Sequence, residues 1–95
     1  MTPPDDALDI GDGHKIVVNE YQGEPAGVVE WHRKADGEWC SGWVAFAESK
    51  WEAHFQEKIT SWQVISRDPL TLSPSILCRA CGSHGFIENG KWRSA

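Results

Sequence analysis

The sequence is short of basic residues, cysteines and long apolar runs, and each shortage excludes a class of protein. Nine lysines and arginines stand against 14 aspartates and glutamates in 95 residues, for a net charge of −5. This balance argues against a nucleic-acid partner, because phosphate binding needs a surplus of basic side chains. No apolar run reaches the roughly 18 residues of a membrane span, so we expect no membrane partner.

The residues at the start of the chain and the cysteine count point to a reducing compartment. Residues 1–13 lack the basic start and the apolar segment of a secretory signal, which predicts a cytoplasmic protein. Three cysteines is an odd number, and a cytoplasmic protein seldom keeps a disulfide framework. Metal binding or free thiols therefore remain as explanations for the cysteines.

Some catalytic motifs are also missing. None of the four histidines belongs to the His-x-Glu motif of zinc deaminases or to the His-Glu-x-x-His motif of metalloproteases. There is no glycine-rich phosphate loop. The sequence therefore gives no evidence for a zinc deaminase, a metalloprotease of this type or a nucleotide-binding protein.

The chain divides into a short tail and one domain. Residues 1–13 carry two prolines, four aspartates and two glycines, which predicts a flexible acidic tail. Residues 14–95 form a single domain of a size that can fold alone. Six tryptophans suit a small core built on a few large side chains.

The pattern of β-branched residues and turns predicts a mainly β domain, with a small α+β domain as the alternative. We expect an antiparallel sheet of about five to seven short strands and at most one short helix. Trp51 and Phe55, four residues apart in the segment 48–58, favour the helix. The clearest strands before the last third of the chain are 14–21, 27–34, 38–46 and 60–66.

A C-terminal hairpin is the strongest local prediction. Asn89-Gly90 suits a type I′ turn, whose positive φ values cost Asn and Gly least. This register places Glu88 opposite Lys91 and Ile87 opposite Trp92. His84 then lies at the entry to the hairpin.

The same region offers a metal site. Cys78, Cys81 and His84 supply two thiolates and an imidazole within seven residues, which suits Zn²⁺. A single Cys-x-x-Cys is a weak signal, and buried apolar thiols are the main competing explanation, with a redox pair as a lesser one. A closed site needs a fourth ligand, for which the candidates are Cys40, His32 and His54.

Nucleophilic catalysis is the competing interpretation of the same residues. Pro74 cannot donate to a sheet, so Ser75 is expected at an edge, a bulge or a strand end, with its hydroxyl facing outward. His84 can take a serine proton near neutral pH. Asp68 or Glu88 can orient the imidazole, and backbone N–H groups near Gly82 or Gly85 can form an oxyanion hole.

These motifs together resemble a known family. The features are Trp62, the block Pro-Leu-Thr-Leu-Ser-Pro-Ser-Ile at 69–76, Cys-Gly-Ser-His at 81–84, Phe-Ile at 86–87 and Asn-Gly-Lys at 89–91. The combination, which covers about a third of the chain, is similar to a small phage and bacterial family. That family includes the peptidase-like E component of bacterial ubiquitin-like (Bub) operons.

The resemblance implies a Ser/His peptidase acting on a protein or peptide tail. Ser75 matches the family's serine and would be the nucleophile, His84 matches its histidine and would be the base, and Cys81 matches its cysteine. No cofactor is then required, and a phage-encoded member would act in the cytoplasm of its host. Cys78 is an addition in a shorter spacer, and it points to a metal site or to a structural zinc.

The alternative function is a non-enzymatic protein-interaction module. Such a module is stabilised by Zn²⁺ through Cys78, Cys81 and His84, with Cys40 as a fourth ligand. A groove for a peptide can be lined by Trp31, Trp39, Trp43 and Trp51, although a tryptophan-rich core explains most of them. The two functions make opposite demands on His84, because a metal-bound imidazole cannot also act as a general base.

Overall fold

The computed structural model describes residues 1–55 and 58–95, of which more than half lie in short antiparallel strands. The predicted mainly β class is confirmed, and the described residues contain nine strands and one short helix. In chain order these are β1 (Leu8–Gly11), β2 (His14–Tyr21), β3 (Glu24–Arg33), β4 (Trp39–Ala45), α1 (Lys50–Ala53), β5 (Gln63–Arg67), β6 (Leu70–Ser73), β7 (Ile76–Leu77), β8 (His84–Glu88) and β9 (Lys91–Ser94).

The first half of the chain forms a four-stranded meander in the order β1-β2-β3-β4. Strand β2 has the predicted bounds, and β3 and β4 lie within a few residues of theirs. Gln22 and Gly23 join β2 to β3 with φ values of 51° and 83°, as a type I′ turn requires. The loop between β3 and β4 closes on Gly37, whose φ is 86°, and places His32 directly opposite Cys40.

Part of the predicted N-terminal tail belongs to this sheet. Leu8–Gly11 pairs with β2, and Ile10 at its centre is fully buried. One apolar side chain among the aspartates is enough to fix the strand, because it is packed into the core. The division of the chain into a tail and one domain otherwise stays a prediction.

The second half of the chain forms a β5-β6 hairpin and a three-stranded sheet in the order β7-β8-β9. The predicted register of the last hairpin is confirmed, with Ile87 opposite Trp92 and Glu88 opposite Lys91. Asn89 and Gly90 have φ values of 50° and 73°, in agreement with a type I′ turn.

A single core joins the sheets. Its buried members come from β1 to β4 and from β6 to β9, and Trp62, Val64 and Leu70 pack against it. The core residues are Ile10, Ile16, Val28, Val44, Phe46, Leu72, Ile76, Ile87 and Trp92.

The helix is shorter than its predicted segment. Ser49 caps α1, since its hydroxyl accepts a hydrogen bond from the N–H of Glu52 and donates one to the carbonyl of Phe46. Residues 56 and 57, near the end of the predicted segment 48–58, lie outside the described residues. In the described residues, no helix combines the length and apolar character needed to cross a membrane.

Candidate functional site

The first candidate site pairs Ser75 with His84. Leu77 lies opposite His84 in the β7-β8 ladder, and Ser75 immediately precedes β7. Because side chains alternate along a strand, Ser75, Leu77 and His84 share one face of the sheet. Their placement brings Nε2 of His84 to 2.9 Å from Oγ of Ser75, within hydrogen-bonding distance.

The backbone at Ser75 is anchored from the core side. The indole N–H of Trp62 donates a hydrogen bond of 3.0 Å to the carbonyl of Ser75. Backbone hydrogen bonds in turn fix Trp62, which donates to the carbonyl of Ala45 and accepts from the N–H of Ala47. The face that holds the pair is open: His84 is exposed, and Leu77 is 53% exposed. A large substrate can therefore reach the hydroxyl.

The candidates for a third catalytic group are placed elsewhere. Glu88 forms an ion pair with Arg93 at 2.5 Å, which lowers the pKa of its carboxyl. In the described part of the chain, no carboxylate lies within ion-pair distance of His84. The N–H of Gly82 donates to the carbonyl of Cys78 at 2.7 Å and is not free for an oxyanion. Within the described residues, the geometry is therefore that of a serine and a histidine in contact, without a carboxylate paired to the imidazole.

The second candidate site is a cluster of three thiols and an imidazole. One ligand atom from each of His32, Cys40, Cys78 and Cys81 lies within 4.8 Å of the other three. Nε2 of His32 is 3.0 Å from the sulfur of Cys81, and the sulfurs of Cys40 and Cys78 are 3.6 Å apart. All three cysteines are free thiols, and these four side chains are close enough together to bind a metal ion.

The two closest thiols differ in acidity. Burial, followed by the hydrogen bond and charge of Cys78, raises the pKa of Cys40 to about 11. Burial also raises the pKa of Cys78, but hydrogen bonds with the backbone at Cys81 and Ala80 outweigh it and lower that pKa to about 7. Cys78 is therefore the thiol of this pair that loses its proton more easily.

A buried polar network supports the imidazole of this cluster. Glu30 is 3% exposed, and its carboxylate lies 2.8 Å from Nδ1 of His32 and 2.8 Å from Nδ1 of His14. The ring of His14 stacks on Trp92, with centroids 3.8 Å apart. With Nδ1 held by Glu30, His32 presents Nε2 to the thiols.

The ligand set differs from the predicted one in its histidine. Cys78, Cys81 and Cys40 lie together as expected for a metal site, but the imidazole beside them belongs to His32, while His84 contacts Ser75. His32 and Glu30 both point from β3 into the protein interior. A polar residue in a strand usually indicates a solvent-exposed face, so the sequence did not suggest that these two are buried. The signal that could have shown their burial is the spacing of two residues, which places Val28, Glu30 and His32 on the same face of β3.

The tryptophans proposed for a groove are dispersed. Trp31 is 8% exposed and belongs to the interior, and Trp39 lies beneath the guanidinium of Arg33 at 4.3 Å. Trp43 is 38% exposed and packs edge to face with Trp51, with ring centroids 5.9 Å apart. This last pair borders a surface depression together with Tyr21 and Ala26.

The sequence resemblance is supported by a comparison with protein families. A family model described as a bacterial ubiquitination-like system serine protease (BubE) matches residues 37–95, well over half of the chain. The matched segment includes Ser75, His84 and all three cysteines, and it begins after His32. No curated protein and no solved structure matches the chain.

Proposed function

Since the chain belongs to the BubE family, the serine proteases of bacterial ubiquitination-like systems, we propose that it is a peptidase whose nucleophile is Ser75 and whose general base is His84. The observation that carries this proposal is the 2.9 Å contact between Oγ of Ser75 and Nε2 of His84. A serine hydroxyl needs such a base within hydrogen-bonding distance, because it is a weak nucleophile by itself.

The proposed reaction follows from this contact. Oγ of Ser75 attacks the carbonyl carbon of the scissile bond while Nε2 of His84 takes the hydroxyl proton. The imidazolium then gives the proton to the departing amine, which leaves an acyl ester on Ser75. Water, activated by the same imidazole, hydrolyses the ester and restores the free serine.

The expected substrate is a protein or peptide tail. The name of the family places it in a ubiquitination-like system, whose substrates are proteins. The exposed face of His84 and Leu77 admits a chain, and the apolar Leu77 offers a contact for a substrate side chain. The cytoplasmic location and the absence of nucleic-acid and membrane partners stay predictions.

A fluorophosphonate probe tests the proposal directly, because it forms a covalent bond with an activated serine. We expect the probe to label the wild-type protein. Labelling should be lost in Ser75→Ala and strongly reduced in His84→Gln. The matched control is Ser73→Ala, which removes an exposed hydroxyl two residues away. Equal labelling of all four proteins, or none of a folded wild type, would contradict the proposal.

A zinc-stabilised interaction module remains the second candidate. The observation in its favour is the cluster of three thiols and an imidazole, which could bind the zinc ion. The module with Zn²⁺ would use His32 in place of His84 beside Cys40, Cys78 and Cys81. In that ligand set His84 stays free, so the metal and the dyad no longer exclude each other. Two results together would favour the module. The probe would fail to label the wild-type protein, and Ser75→Ala would bind a partner protein as tightly as the wild type does.

A further inference from the structure

We propose that His32, Cys40, Cys78 and Cys81 form a closed structural zinc site that fixes the first sheet to the turn between β7 and β8. The proposal does not depend on the peptidase function, since it concerns other side chains and has readouts other than hydrolysis. It assigns a role to all three cysteines and to the buried Glu30 beside them.

The donor set and its spacing match zinc. Three thiolates and one imidazole make the Cys₃His combination of structural sites, which bind Zn²⁺ as a tetrahedron. With Zn–S bonds of about 2.3 Å, two sulfurs of a tetrahedron lie about 3.8 Å apart. The sulfurs of Cys40 and Cys78 are separated by 3.6 Å, which is close to that spacing and far beyond a disulfide bond. Nε2 of His32 and the sulfur of Cys81, which are 3.0 Å apart, would have to separate by about 0.5 Å to bind one tetrahedral ion.

Glu30 provides a second and independent observation. Burying a carboxylate costs free energy unless it is paired. Glu30 is only 3% exposed, and each of its two oxygens lies within hydrogen-bonding distance of an imidazole. Metal-bound histidines usually donate their other ring N–H to a carboxylate, which fixes the tautomer and the ring orientation. Glu30 holds Nδ1 of His32 in this way and leaves Nε2 for the ion.

The site lies where it can organise the dyad without taking part in it. His32 and Cys40 are opposite residues on β3 and β4, whereas Cys78 and Cys81 lie in the connection between β7 and β8. That connection separates Ser75 from His84 along the chain. An ion held by all four side chains would therefore fix the β7-β8 connection on the first sheet and keep Ser75 and His84 in register.

Metal analysis of the purified full chain is the first test. We expect elemental analysis and native mass spectrometry to find one zinc ion per chain under reducing conditions. Cobalt replacing the zinc should give the absorption of a tetrahedral thiolate site. A reduced and folded protein that binds neither ion would overturn the proposal, as would a Cys40–Cys78 disulfide in protein purified with a reductant.

Variants distinguish this ligand set from the one that contains His84. Cys40→Ser and His32→Ala should lose the stoichiometric ion, while His84→Ala and the surface control His54→Ala should keep it. Loss of the ion from His84→Ala and its retention by His32→Ala would overturn the assignment. Ser75→Ala should keep zinc whether or not the protein is a peptidase, so the two proposals can fail separately.

Glu30→Gln tests the site in a protein that keeps all four ligands. Removing the charge that orients His32 should weaken zinc binding by about 10–100-fold in competition with a chelator, since substitutions of such supporting groups have effects of this size. The cobalt spectrum should keep its tetrahedral form, which a general loss of structure would not allow. Unchanged zinc affinity would remove Glu30 from the site.

Discussion

The indole of Trp62 connects the core to Ser75, the proposed nucleophile, through one hydrogen bond. We expect Trp62→Phe to keep the fold, to lose about 1 kcal/mol of stability, and to slow fluorophosphonate labelling of Ser75 several-fold. The reason is that the carbonyl of Ser75 loses its donor, so the hydroxyl is less well positioned. Labelling rates and thermal unfolding measure the two effects, and Trp39→Phe is the control. Labelling at the wild-type rate would show that this hydrogen bond does not position the serine.

The ion pair of Glu88 with Arg93 predicts a pH dependence. The hydrogen bond from Arg93 lowers the pKa of Glu88 in the folded state below its ordinary value. Its contribution to stability is therefore complete above the ordinary pKa and is lost as the pH falls through the folded-state pKa. Glu88→Gln should destabilise the protein slightly at pH 7, and the difference from wild type should vanish in acid.

Urea unfolding at several pH values measures that difference. The effect should be small and should weaken in high salt, because both side chains are exposed. Glu20→Gln, which removes a carboxylate from a different strand, is the control. A difference that grows in acid would contradict the assigned direction.

Spacing together with the family resemblance led us to expect Ser75 and His84 close together, as they are, but did not bring His32 into the thiol cluster. Ser75 and His84 lie close in the chain and share one hairpin connection, so local geometry brings them together. His32 and Cys78 are far apart in sequence, and their proximity depends on how two sheets pack. His32 and Cys40 lie opposite each other on β3 and β4, but nothing local in the sequence indicated that this pair faces Cys78 and Cys81.

Strands β8 and β9 are in close contact at Gly85. A β-carbon at this position would lie 2.5 Å from the ring of Trp92 and 2.6 Å from the carbonyl oxygen of Arg93. We expect Gly85→Ala to destabilise the protein by about 1–3 kcal/mol, because the ring and the strand must move apart. Denaturant unfolding measures this change.

Gly42 on β4 is the matched control. A β-carbon there meets nothing within 4 Å, so Gly42→Ala should leave stability unchanged or raise it slightly. Equal losses at the two positions would show that the cost comes from the backbone of the strands and not from contact with Trp92.

Turn chemistry explains which elements were predictable. Asn89-Gly90 fixed the register of the last hairpin, and the run of β-branched residues fixed β2, since both signals are local. The charge partner of Glu88 was not the residue that the register places directly opposite it: the ion pair is with Arg93, whereas Lys91 lies opposite. Strand β1 was missed because its burial rests on Ile10 alone, within an otherwise acidic and proline-containing segment.

At the scale of the whole molecule, one core is shared by every sheet and predicts cooperative unfolding. Ile87 is completely buried in β8 and belongs to the same cluster as Ile10 and Val28 of the first sheet. We expect Ile87→Ala to lower stability by about 2–5 kcal/mol. Far-ultraviolet circular dichroism and tryptophan fluorescence should shift together to the same lower midpoint.

A more conservative variant keeps this prediction testable. Ile87→Val should lower stability by about 0.5–1.5 kcal/mol and remain folded under conditions in which the alanine variant does not. Two separate transitions in the wild type, one for each sheet, would contradict a single shared core.

The boundary of the family match has a practical consequence for anyone who shortens this chain. A fragment that starts at residue 37 would retain Ser75, His84 and all three cysteines. It would also leave β4 without its neighbour and discard the imidazole that completes the thiol cluster, together with the carboxylate behind it. Expression of residues 37–95 by themselves should therefore yield aggregated material, and the first 36 residues belong in any minimal folded unit.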